Sequence, residues 1–142
     1  MSERSERQFA AVDATWDAVE RNDRERLRAL ADELVHPECE WTPLLAGVDG
    51  RTYLGPEGMI AFFGDWLESF NPRYEDREFE EVAEDVVLAS CRLSIEGRES
   101  QVGIDRDIAL LAVFGDDGLL RKGRAYDTRE AALQGAQELL NA

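Results

Sequence analysis

Tyr53-Leu54-Gly55-Pro56-Glu57-Gly58, running into Met59, Ile60, Phe62, Phe63, Trp66, Leu67 and Phe70, is the stretch that decides the fold. Gly55-Pro56 reads as the entry to a helix, because proline in the first turn gives up only an N–H that has no intrahelical partner. The helix it opens carries too many apolar and aromatic residues for a thin amphipathic stripe, so it must be covered over most of its surface. Asn71-Pro72 is expected to stop it, since the residue before proline disfavours the helical region.

Upstream, Phe9, Val12, Trp16 and Val19 recur at helical spacing, and Leu27, Leu30, Ala31 and Leu34 repeat the pattern after a break at Asn22-Asp23. This predicts an αα-hairpin that ends by His36-Pro37, followed by a short strand from Cys39 to Leu44 and a loop through 46–50. Downstream the period changes to two, predicting strands at 74–82, 86–96, 101–114 and 119–127. Glu84-Asp85, Glu96-Gly97-Arg98 and Gly115-Asp116-Asp117-Gly118 supply the turns, so consecutive strands should pair antiparallel. Thr128 can cap a last helix carrying Leu133, Leu139 and Leu140. The expectation is an α+β fold whose curved sheet wraps helices around a pocket.

At 142 residues the chain suits a single domain spanning 1–142. The amino terminus lacks the apolar core of an export signal, and no run approaches the roughly 20 residues of a membrane span, so a cytoplasmic protein is expected. The net charge of −15, from 31 acidic against 16 basic residues, repels phosphate backbones and anionic lipid, so neither nucleic acid nor membrane is an expected partner. Cys39 and Cys91 read as buried free thiols. One histidine, His36, is too little for a zinc or iron site, and its place beside Pro37 favours a surface turn. No metal and no organic cofactor are expected.

Asn22-Asp23, His36-Pro37-Glu38-Cys39-Glu40-Trp41, Tyr53 to Gly58, and the ending from Asp117-Gly118 through Tyr126 to Ala132-Leu133 resemble the nuclear-transport-factor-2-like superfamily, in particular its SnoaL-like and ketosteroid-isomerase-like members. The likeness spans nearly the whole chain. It implies a cystatin-like α+β barrel, a cone-shaped curved antiparallel sheet wrapped around helices and enclosing a hydrophobic pocket. Ketosteroid isomerases use a carboxylate base with a tyrosine and a protonated aspartic acid at the oxyanion. Carried onto this chain, the tyrosine falls at Thr15, the base at Thr42 and the neutral acid at Leu110. All three roles are lost, because threonine does not abstract a carbon-bound proton near neutral pH and leucine donates no hydrogen bond.

The same alignment turns Gly123, Ala125 and Asp127 toward the cavity. SnoaL-like cyclases are similar in placing a late aspartate in an apolar pocket as acid/base, which makes Asp127 the candidate catalytic group. Arg106 shares parity with Ile108, Leu110, Ala112 and Phe114, so it is expected to point inward as a carboxylate or enolate clamp. The competing readings are that Asp127 helps start the last helix and that Arg106 is a surface partner to Asp105 or Asp107. Trp16, Phe63 and Trp66 are the expected wall residues, with Trp41 and Phe62 read as core. Glu40 and Thr42 share one strand face, Cys39 and Trp41 the other, and either pair could see the cavity.

The resemblance implies a protein for a small hydrophobic molecule. One form is a cofactor-independent isomerase, cyclase or hydrolase acting on an apolar carbonyl compound by proton transfer, with Asp127 as acid/base and Arg106 or Tyr53 as orienter. The other is a non-catalytic ligand-binding or dimerisation module. A homodimer is expected either way, since this superfamily commonly covers the second sheet face with a partner, here through Val87, Ala89, Cys91 and Leu93.

Overall fold

The structure, a computed structural model, describes residues 2–43, 52–97 and 103–140, with Leu139 and Leu140 described by backbone alone. The expected loop at 46–50, the Arg98 end of one turn and the first residues of the strand expected from 101 lie outside them.

Helix α1, Glu3–Glu20, starts on a capping box in which Ser2 and Ser5 satisfy each other's backbone N–H groups. It buries Val12, Trp16 and Val19. Asn22, at φ 52°, turns the chain, and Asp23 caps α2, Arg24–Leu34, by accepting from the Arg26 N–H at 3.0 Å. The chain then enters β1, Val35–Thr42, four residues earlier than expected. Pro37 is tolerated there because the pairing of β1 is irregular between Val35 and Glu40.

The deciding stretch behaves as its glycine and proline require. After β2, Tyr53–Leu54, helix α3 runs Gly55–Ser69 and buries Met59, Phe63, Trp66 and Leu67. Gly55 has φ +66°, and a Cβ on it would stand 2.6 Å from the Pro37 carbonyl oxygen, so only glycine lets α3 start against β1. Asn71-Pro72 lies just past the end of α3, which stops at Ser69 as expected. Helix α3 gives way to β3, Phe70–Ala83, and Pro72 sits inside that strand, where an edge position spares its missing donor. The meander continues through β4, Val86–Gly97, β5, Gly103–Phe114, and β6, Leu120–Tyr126, to helix α4, Arg129–Leu140.

The strand order is β2-β1-β6-β5-β4-β3. Two expectations are corrected. The sheet is mixed, because β1 runs parallel to β6 while every other pairing is antiparallel. No hairpin links β1 to β6, so turn geometry does not fix their relative direction. The sheet is also curved but unclosed, with β2 and β3 as its edges, so it is an α+β wrap and not a barrel.

Register decides the faces. Val87, Ala89, Cys91 and Leu93 lie opposite Ala112, Leu110, Ile108 and Arg106, and belong to the main core with Trp16 and Phe63. They cannot serve as the partner face expected from the sequence. At one end the second face of the sheet is covered by this chain's own α4, whose Ala132 packs with Leu88 and Ala109, and whose Ala136 packs with Val86 and Leu111, while Arg92, Asp105 and Asp107 further along that face are exposed.

Candidate functional site

Two small cavities lie between the helices and the inner sheet face. The first, about 50 Å³, sits under α1 and α2 against Ala112, Phe114 and Gly123. The second, about 60 Å³, sits under α3 and is bounded by Trp66, Tyr74, Leu93, Ile108, Arg106 and Ala125. Trp16, Trp41, Phe63 and Leu110 line both, so they form the wall between them. The rings pack closely: Phe63 lies 6.3 Å from Trp41, and Phe62 bridges Trp41 at 6.1 Å and Trp66 at 5.9 Å.

The wall is anchored from behind. Trp16 stacks on Tyr74 at 4.9 Å with the planes 3° apart, and the Arg77 guanidinium lies 5.9 Å from the Trp16 ring. Arg77 is itself held by Asp13 at 2.7 Å, Asp17 at 2.8 Å and Glu20 at 3.1 Å, and Glu20 also accepts from the Tyr74 N–H at 2.7 Å. This network fixes β3 to α1. On the other side, a Cβ on Gly123 would meet the Trp41 ring at 2.5 Å. The space opened by Gly123 is therefore filled by Trp41, not left for a ligand.

The first cavity is apolar apart from Thr15, whose hydroxyl donates to the Ala11 carbonyl at 2.8 Å. The second contains a charge. Arg106 is half-buried on its wall and, among the described residues, has no hydrogen bond or ion pair. Arg106 forms no ion pair with Asp105 or Asp107 among the described residues; both are exposed, and Asp107 pairs with Arg92 at 3.5 Å. Ile104, two residues back on the same face and opposite Ile95, is exposed, so the cavity reaches the surface at the Arg106 end.

Two further polar groups lie within the packing of this wall, with almost no surface open to the cavity. The indole Nε1 atoms of Trp41 and Trp66 are buried with no acceptor among the described residues, and each side chain's residue is only 8% exposed. A buried donor without a partner costs about 1–3 kcal/mol. Tyr74 is the remaining polar residue, and burial pushes its phenol well above the ordinary tyrosine value, so it stays protonated. Burial likewise pushes Cys39 up to about 11 and Cys91 up to about 12, which keeps both thiols neutral and unreactive.

Of the residues singled out in the sequence, the structure brings together Arg106, Trp16, Phe63, Trp66, Leu110 and Ala125 at the second cavity. It places Thr15 and Gly123 at the first. Asp127 is elsewhere: β6 ends at Tyr126, and Asp127 lies exposed in the bend before α4, outside both cavities. Its parity points inward, but the strand stops one residue too early for parity to carry it in. Glu40 is exposed on β1, 3.6 Å from Lys122, and Thr42 meets the Thr52 hydroxyl at 3.2 Å, both outside the cavities. Cys39 and Trp41 are thus the core-facing pair of β1. Tyr53 supports the wall from outside, its ring 5.5 Å from Phe62.

Sequence reasoning passed over Tyr74 and Ile95 as lining residues, gave Leu93 to a partner face, turned Ile108 inward by parity without naming it as lining, and read Trp41 and Phe62 as plain core. The alternation of β4 was visible, but Val86 and Leu88 make that strand apolar on both faces, so pattern alone does not say which face is inner. Among the described residues no group of three or more His, Cys, Asp or Glu could hold a metal ion, and no helix is long and apolar enough to cross a membrane.

No family model matches this chain, and none of the curated proteins matches it in sequence. Solved structures do match in fold. A candidate polyketide cyclase from Xanthomonas campestris pv. campestris superposes with a TM-score of 0.72 at 14% identity, over 91% of this chain and 96% of that one. A nuclear-transport-factor-2-like protein of unknown function from Burkholderia pseudomallei K96243 gives 0.69 at 16% identity, over 94% and 97%. A protein with a ketosteroid-isomerase-like fold from Catenulispora acidiphila DSM 44928, in complex with trimethylamine, gives 0.67 at 14% identity, over 87% and 89%. The chain has the nuclear-transport-factor-2-like, ketosteroid-isomerase-like fold, as its sequence resemblance implies.

Proposed function

We propose that this chain binds a small, flat, mostly apolar molecule that carries an anionic or carbonyl oxygen, with its ring against the aromatic wall and its oxygen at Arg106. The observation that supports this most is the guanidinium itself: a permanent charge, half-buried in an apolar cavity and unpaired among the described residues. An ionised group taken partly out of water without a partner is costly, and an incoming carboxylate or enolate oxygen would relieve that cost. A dry apolar cavity of about 150 Å³ accommodates benzene. The second cavity, at about 60 Å³, is smaller, so the ligand is a single-ring compound that shifts the wall toward the first cavity or extends past Arg106 into solvent.

A second reading is turnover, the isomerase, cyclase or hydrolase chemistry expected from the sequence. The same lone guanidinium favours it, because a preorganised cation beside a carbonyl oxygen stabilises the enolate formed by proton loss. Fold likeness to a candidate polyketide cyclase is consistent with it. Its base has no candidate among the described lining residues, since Thr15 is tied to a backbone carbonyl, Tyr74 stays protonated and Asp127 lies outside. Binding is therefore the better-supported reading.

All three tryptophans of the chain line the second cavity, so their fluorescence reports on its occupancy. Titration with benzoate should give a saturable change in emission. Arg106→Met, which keeps a long apolar side chain, should weaken benzoate about tenfold or more, the value of a charge-assisted hydrogen bond. Equal affinity in the two proteins would sink the role given to Arg106. For turnover, deuterium exchange at the methyl carbon of bound acetophenone should exceed the buffer rate and drop in Arg106→Met; exchange at the buffer rate leaves binding alone.

A further inference from the structure

Among the described residues, four side chains line both cavities, and three of them are fixed. Trp16 is stacked on Tyr74 beside the Arg77 network, Trp41 is seated on Gly123, and Leu110 stands on β5, which is paired on both sides by β4 and β6. Phe63 is the fourth. It reaches the wall from α3, and its ring neighbours are Phe62 at 5.2 Å and Trp41 at 6.3 Å, both tilted, so no stacked partner pins it. Arg106 lines the second cavity and not the first, so the order along the inner face is Arg106, second cavity, Phe63, first cavity.

A close-packed interior holds a side chain through its neighbours, so a ring with a gap on two sides is the part of the wall that yields most easily. Neither gap takes a ring unaided: they measure about 50 and 60 Å³, against about 150 Å³ for a cavity that accommodates benzene. We infer that Phe63 is the partition that sets the size of the ligand. Pushed toward the first cavity, it makes room for one ring beside Arg106, and its own phenyl then fills the space under α1 and α2 where a second ring would lie. This rests on the reading that the second cavity binds a small aromatic molecule with its oxygen at Arg106. To that reading it adds a specificity: one-ring acids are admitted, flat two-ring acids are refused, and Phe63 makes the distinction.

The probes are benzoate and 2-naphthoate, titrated into the intact chain labelled with ¹⁵N in its indoles, because all three tryptophans line the second cavity. Wild type should bind benzoate more tightly. In Phe63→Ala the two gaps and the vacated phenyl volume become one cavity, and the 2-naphthoate-to-benzoate affinity ratio should rise about tenfold or more, as the apolar area of the second ring leaves water. Phe63→Leu is the milder change for folding and should raise the ratio in the same direction by a smaller factor. Phe79→Ala is the control: Phe79 lies 6.1 Å from Trp16 but lines neither cavity, so its loss loosens the inner layer and should leave the ratio unchanged.

Benzoate bound with the ratio unmoved in both Phe63 variants, or moved as far by Phe79→Ala, would overturn the partition and leave the binding reading standing. Wild type binding 2-naphthoate as tightly as benzoate would do the same. If neither acid shifts any indole signal in any of these proteins, the binding reading itself falls, and the partition with it.

Discussion

The two faces of the sheet are built from the same strands and filled by opposite means. Strand β5 sends Ala109 and Leu111 outward and Leu110 and Ala112 inward. Outside, α4 meets the sheet through Ala132 and Ala136, which let the helix backbone approach closely. Inside, α1 and α3 meet it through the rings of Trp16, Phe63 and Trp66, and α2 through Leu27 and Leu30. Flat rigid rings seldom tile a concave surface completely, whereas small side chains under a helix do. The outer face is thus closely packed where α4 covers it. The inner face keeps two gaps and, at one of them, a charge without a partner among the described residues.

Substitutions on β5 break this comparison most strongly from the outside. Leu111→Ala, removing a side chain 1% exposed beneath α4, should cost about 2–5 kcal/mol in urea unfolding, because the alanines around it cannot move in to fill the gap. A loss below about 1 kcal/mol would show the outer layer to be loosely packed. Ala109→Val and Ala112→Val add the same two carbons on opposite faces. The first should cost about 1–3 kcal/mol by crowding Ala132, and the second should change stability by less than about 1 kcal/mol, since its methyls enter the first cavity. Equal costs would contradict the distinction between the faces.

The inner face also carries both thiols, held neutral by burial. A thiol whose folded value is raised stays protonated after its unfolded counterpart ionises. Its stabilising contribution is therefore fully present below about 9 and is lost as pH rises toward about 12. Tyr74 acts in the same direction. The urea midpoint should fall across that alkaline range, and Cys91→Ala should flatten part of the fall. Rapid alkylation of Cys39 and Cys91 by iodoacetamide at pH 8 would show that the inner face opens more freely than its packing implies.

Much of this architecture was legible in the residues. Gly55-Pro56 marked the start of α3, Asn22-Asp23 the helix turn, and Gly115 to Gly118 the last hairpin, where Gly118 takes φ +81°. Those are local signals, in which one backbone requirement selects one residue type. The start of β3 at Phe70, before Pro72, was not legible, because a proline is tolerated in a strand only at an edge or irregularity, and strand order is not local. The site was half legible. Arg106 could be placed by parity, since it lies inside a strand with continuous alternation. Asp127 could not, because parity has no meaning beyond the last paired residue, Tyr126. The two buried indole N–H groups with no acceptor among the described residues were invisible, for an N–H lacks an acceptor only in three dimensions.

The central claim is that the second cavity takes an aromatic ring with its oxygen at Arg106. A crystal soaked with 4-bromobenzoate tests it directly, because anomalous scattering locates the bromine. The account predicts bromine against the aromatic wall and the carboxylate within hydrogen-bonding distance of the Arg106 guanidinium. Bromine found only on the outer surface, with the cavity unchanged and Arg106 still unpaired, would contradict it.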